Sequence, residues 1–157
     1  MKLKFILSTT LATSILLSCG QTGKKDQADF NGNWAFHIVE DTLNYNIDYS
    51  DTDCETDKWE TVRLPHTANI EPLVVNDQWQ GICWYHKTFD ISNFSKGKKY
   101  FIEFEGAMNV IDIWINDKHL KKDMGGYLPI AADITDYVKE KENTIRVRLD
   151  NRDNQIT

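Results

Sequence analysis

Few residues in this 157-residue chain have the types and spacing that chemistry needs. Glu103 and Glu105 lie two apart in a run that reads as a strand, so they share a face and could bring two carboxyls together. General acid/base work would also need a pocket to separate their pKa values, and like charges on a strand ordinarily face water. Asp48, Asp51, Asp53, Glu55 and Asp57 are a second acidic group, but they lack the ordered glycine and terminal glutamate of a calcium loop. A solvated acidic loop is the expectation there. His37, His66, His86 and His119 are scattered, with no two at metal-ligand spacing, so neither a metal nor a cofactor is expected. Asn76-Asp77-Gln78-Trp79-Gln80-Gly81 is more informative. An amide, an acid and a tryptophan in one loop suit a sugar, whose ring stacks on the indole while its hydroxyls meet the polar groups. Asn76, Trp79 and Gln80 are the candidate carbohydrate contacts. The alternative is that Trp79 packs on the edge of the fold or on a neighbouring domain.

The elements that must hold such a loop read as antiparallel β-strands. Period-2 alternation runs through 34–38, 59–64, 84–91, 99–105, 110–115 and 144–149. The last is the clearest, with Ile145, Val147 and Leu149 inward and Arg146 and Arg148 outward. Ser95-Lys96-Gly97-Lys98 and Asn116-Asp117-Lys118 are turn signals. One short helix is expected over 133–138, where Asp133 or Thr135 could cap it. Residues 41–58 read as a long surface loop or irregular hairpin. Many short strands with little helix predict an all-β sandwich. Apolar residues make up 41% of the chain, enough for a real core. No Lys/Arg cluster exceeds a pair, and the formal charge is −6, so a nucleic-acid surface is excluded.

The first residues read as an address. Lys2 and Lys4 precede an apolar run from Phe5 to Leu17, too short to span a bilayer as a helix. Leu16-Leu17-Ser18-Cys19-Gly20 resembles the bacterial lipobox, which implies cleavage of residues 1–18 and lipidation of Cys19. Losing Lys2 and Lys4 takes the formal charge from −6 to −8. Residues 19–29 then form a polar tether, and a domain is expected from 30 to 157. Such a protein would be exported and held at a membrane by its lipid alone. Export would allow Cys54 and Cys83 to pair as a disulfide; two separate thiols, at least one buried, are the alternative.

A set of motifs follows in fixed order. They are Trp59 to Thr67 (WETVRLPHT), Gly81 to Phe89 (GICWYHKTF), Phe104-Glu105-Gly106, Ile113 to Asp117 (IWIND), Gly125 to Ile130 (GGYLPI) with Asp133-Ile134-Thr135, and Arg146 to Asn151 (RVRLDN). Together they resemble the N-terminal sugar-binding domain of glycoside hydrolase family 2, the β-galactosidase and β-glucuronidase family. The resemblance runs over about residues 30–154. Three positions depart from the family's habit: Cys83 for a glycine, His86 for an arginine and Asp117 for a glycine.

The resemblance implies a jelly-roll sandwich of the galactose-binding type and a β-linked glycan or glycoside as ligand. Family members retain configuration, which takes two carboxylates about 5 Å apart. In this family both are carried by a TIM barrel that comes after a second sandwich, so no catalytic residue carries over and the chain alone is expected to be inactive. His66, in the family's "LPH" motif, would be a turn histidine bonded to nearby backbone or a polar contact near the sugar. Gly125 and Gly126 would serve backbone geometry. The expected reading is the sugar-binding piece of an exported, lipid-anchored β-glycosidase, docked on its catalytic barrel. A free-standing glycan-binding lipoprotein and a purely structural domain on a partner chain are the alternatives.

Overall fold

The computed structural model describes residues 27–40, 49–50, 55–70 and 78–152. Eight strands follow in order: β1 (Trp34–Ile38), β2 (Glu60–Val62), β3 (Ile82–Phe89), β4 (Phe101–Phe104), β5 (Asn109–Ile115), β6 (Lys118–Gly125), β7 (Ile130–Asp133) and β8 (Asn143–Asp150). They form a six-stranded sheet, β2-β1-β3-β8-β5-β6, and a two-stranded sheet, β4-β7. Every strand pairing is antiparallel. This is the expected all-β sandwich of jelly-roll type.

Alternation decides what the sheets enclose. Trp34, Phe36, Tyr85, Ile111, Ile113, Ile115, Ile145 and Val147 point from the large sheet onto Ile102, Ile130 and Ala132 of the small one. Ile113, Ile115 and Ile145 are fully buried, each stabilising the fold by about 1.5–3 kcal/mol. Cys83 is a free thiol in this core, and burial, against a smaller opposing pull from Arg148, pushes its pKa up to about 12. Cys54 lies outside the described residues.

Two strands carry no clear sequence pattern. β6 (KHLKKDMG) has almost no apolar alternation because, among the described residues, it is an edge strand paired with β5. Its place is fixed by the turn before it, where Asn116 (φ 47°) and Asp117 (φ 64°) both take the left-handed conformation that a tight hairpin needs. β7 is short and, among the described residues, pairs with β4 alone.

The helix expected over 133–138 does not form. Asp133 accepts the Thr135 N–H (2.9 Å), as a cap would, but the chain only turns. Buried Ile134 gives its N–H to Tyr100 O (2.9 Å), and Asn116 Nδ2 donates to Tyr137 O (2.7 Å). Fully buried Asn143 holds both the N–H and the carbonyl of Lys139 (2.8 and 2.7 Å). Tertiary partners thus take the backbone groups that helical turns would use. Among the described residues the one helical turn is a 3-10 turn at Thr56–Lys58.

Arg146 is also misplaced by simple alternation. It points away from the core, yet is only 3% exposed. The outer face of the large sheet has its own cluster of Val39, Ile82 and Trp84, with Tyr49, Trp59 and Trp114 against it. Arg146 Nη1 donates to Asp117 Oδ1 (2.6 Å) and to Ser50 O (3.2 Å).

Candidate functional site

The loop that ends at Gly81 feeds β3, and β3 pairs with β8 so that Ile82 lies opposite Asp150. One step further, Gly81 meets Asn151. Gly81 N–H donates to Asn151 Oδ1 (2.7 Å), Asn151 N–H returns a bond to Gly81 O (3.1 Å), and Asn151 Nδ2 donates to Trp79 O (2.8 Å). Both ends of the Asn151 amide are engaged, so this residue positions the loop rather than meeting a ligand. Asn109 Nδ2 reaches Asn151 O at 3.5 Å. Asn109 lies opposite Gly125, and a Cβ on Gly126 would stand 3.4 Å from Met108 Cγ. The segments 78–81, 106–109, 125–128 and 151–152 therefore gather at one end of the sandwich.

Trp79 is half-buried, packed on the core, with its ring over Gly81. Gln80 is exposed beside it, and Asn76 lies outside the described residues. At the same end Tyr127 and Leu128 are 90% and 77% exposed, with Met124 and Met108 also open.

Charge near this end is balanced. Arg152 grips buried Asp150 through Nε (2.8 Å) and Nη2 (2.6 Å), and Arg148 adds a bond at 3.1 Å. Burial works to raise the Asp150 pKa, but the Arg152 bonds and both arginine charges outweigh it and hold the carboxyl below the usual range. Asp112 takes His119 Nε2 at 3.0 Å and Arg148 at 3.5 Å. Glu103 and Glu105 stand exposed on and after β4. Among the described residues no group of three His, Cys, Asp or Glu side chains gathers as a metal would require.

His66 is not held by backbone. Its Nδ1 shares a hydrogen bond with the Tyr85 hydroxyl at 3.0 Å, and its ring packs edge-on against Phe36. Burial, with a lesser push from Cys83, raises the Tyr85 pKa, so the phenol stays protonated as a donor. Tyr85→Phe is expected to cost about 0.5–1.5 kcal/mol in urea unfolding. No change in midpoint would show that this bond is not a tether.

His86 titrates differently from a surface histidine. Burial first, and Arg146 second, bring its pKa to about 4, against a smaller opposing effect of Asp117. Above pH 6.5 neither folded nor unfolded His86 carries the proton, and stability is unaffected. Between 6.5 and about 4 the unfolded chain binds a proton that the folded one refuses, so stability falls with pH. The thermal midpoint of wild type should drop across this window more than that of His86→Gln. Parallel curves would assign the acid loss to other groups.

An antiparallel jelly-roll with an anchored, tryptophan-bearing loop at one end defines a β-sandwich domain. The family model described as "Glycosyl hydrolases family 2, sugar binding domain" matches residues 28–155. The chain belongs to that family. A β-glucuronidase of Formosa agariphila is 33% identical over 162 residues, covering 88% of this chain and 16% of that protein. A β-galactosidase of Thermoanaerobacter pseudethanolicus is 32% identical over 136 residues, covering 83% of this chain and 18% of that enzyme. Among solved structures, a family 2 β-glucuronidase superposes with a TM-score of 0.67 at 31% identity, over 80% of this chain and 14% of that one. The chain thus spans less than a fifth of the length of each of these relatives.

Proposed function

We propose that this chain is the sugar-binding domain of an exported, lipid-anchored β-glycosidase and that it docks on that enzyme's catalytic domain. The observation that carries the reading is the family match over 28–155, together with relatives that are β-glucuronidases and β-galactosidases several times longer. The exposed apolar group of Met108, Met124, Tyr127 and Leu128 supports docking, because large apolar side chains gathered at one place mark contact surfaces. Its proposed occupant is the catalytic domain: the group adjoins Asn151, where β8 hands the chain on beside Asn109. Trp79 and Gln80, with Asn76, are the proposed contacts to a β-linked glycan, as the sequence suggests. Neither cofactor nor nucleic acid enters this reading.

The DNA after the codon for Thr157 tests it most directly. A frame continuing into a second sandwich and a barrel with two catalytic glutamates is expected, and a stop followed by unrelated sequence overturns it. The 157-residue chain alone should not turn over aryl β-galactosides or β-glucuronides. Export and anchoring rest on the leader and Cys19, which are outside the described residues. Cys19→Ala should abolish acyl labelling and release the protein from membranes.

A further inference from the structure

Among the described residues, three buried polar atoms on the outer face of the six-stranded sheet have no hydrogen-bond partner: Trp84 Nε1, His86 Nε2 and Arg146 Nε. They belong to one patch of two neighbouring strands. Trp84 and His86 are two apart on β3 and share a face, and Arg146 on β8 is the direct cross-strand partner of His86. Trp84 and Arg146 are 1% and 3% exposed. Trp84 leans across β8 to meet Trp114 at 5.2 Å between ring centroids, and Tyr49 packs edge-on against it at 5.8 Å. Asp117 and Ser50 hold the tip of Arg146, so its Nε cannot swing out to solvent.

The three atoms have a definite demand. An indole N–H and a guanidinium Nε–H can only donate, whereas a neutral imidazole offers one lone pair. A group with two lone pairs to receive and an O–H to give meets all three. Water does this, and buried polar groups are commonly completed in this way. A halide or carboxylate would take both N–H groups but turn negative charge on the imidazole lone pair. Asp117 pairs with Arg146 and offsets part of its positive charge, which weakens the pull on an anion.

We propose that Trp84, His86 and Arg146 enclose an ordered internal water that accepts from Trp84 Nε1–H and Arg146 Nε–H and donates to His86 Nε2. His86 is therefore the tautomer protonated on Nδ1. The site stands independently of any catalytic domain.

Heteronuclear NMR on the full 157-residue chain at neutral pH tests it. The long-range spectrum should show His86 Nε2 unprotonated, and Trp84 Hε1 should give a cross-peak to a long-lived water. That cross-peak should be lost in His86→Phe. Absence of a water cross-peak in wild type, or a proton on Nε2, overturns the proposal. So does bromide at the site in crystals soaked in sodium bromide, which would reveal an anion site. If His86→Phe does not fold, the wild-type spectra and the bromide soak still decide.

Discussion

Replacing Asp117 with asparagine is expected to destabilise the domain by about 2–4 kcal/mol, while Arg146→Met costs about 1 kcal/mol or less. The two partners are unequally placed: the Arg146 side chain is 3% exposed and that of Asp117 is 42% exposed. Without the Asp117 charge, a buried guanidinium keeps the Ser50 carbonyl at 3.2 Å and only a neutral amide oxygen at position 117, so its charge is left without a counter-ion. Without Arg146, Asp117 simply hydrates, and methionine fills the space among aromatic neighbours. Asparagine is the appropriate probe because it tolerates the positive φ of position 117. Urea midpoints for both variants and the double variant decide the matter. Equal losses in the two single variants, or a larger loss in Arg146→Met, would show that the pair is not an inner cation stabilised by an outer anion.

That pair also shows what was legible in the sequence and what was not. Strands β1, β3, β5 and β8 announce themselves by period-2 alternation of their inward apolar residues; their ends shift by up to two residues, and the inner core follows from that alternation. The outer face defeats the same logic. Arg146 looks solvated by pattern, but Trp84, Trp114 and Tyr49 lie over that face of the sheet. Asp117 and His86, two of the three departures from the family's habit, both flank this arginine. A signal was therefore present: an acid where glycine is usual and a neutral ring where a second cation is usual both lower the positive charge around one residue. β6 carries no signal because an edge strand needs no apolar stripe, and 133–138 resembles a helix start because local capping chemistry is common to turns and helices. In the candidate site, Trp79 and Gln80 stand as candidates by residue type alone. Asn151 does not, since its bonds to Trp79 and Gly81 join residues about seventy positions apart.

Gly81→Ala should lower stability by about 1–3 kcal/mol and shift the tryptophan emission, although glycine-to-alanine changes at ordinary φ usually stabilise. A Cβ at this position would lie 2.5 Å from Trp79 Cζ2 and 3.0 Å from Cη2. Something must move, and the backbone is the less free to do so. Asn151 bonds both the N–H and the carbonyl of Gly81 and also the carbonyl of Trp79. The ring therefore gives way and loses its packing on the core. The Trp79→Ala background supplies the control. With the indole gone the clash is gone, and Gly81→Ala should become neutral or stabilise by about 0.4–1 kcal/mol through the unfolded chain. This change is a coupling of about 1–4 kcal/mol between two residues in contact. If the cost is the same in both backgrounds, Gly81 is required for backbone reasons and not for the ring. The same variants connect the loop to function. Where Trp79 forms the stacking surface for a β-linked glycan, Gly81→Ala must weaken glycan titration even though position 81 offers no polar group to the ligand. Gln80→Ala should weaken the same titration while leaving stability within about 0.5 kcal/mol of wild type, because its side chain is exposed.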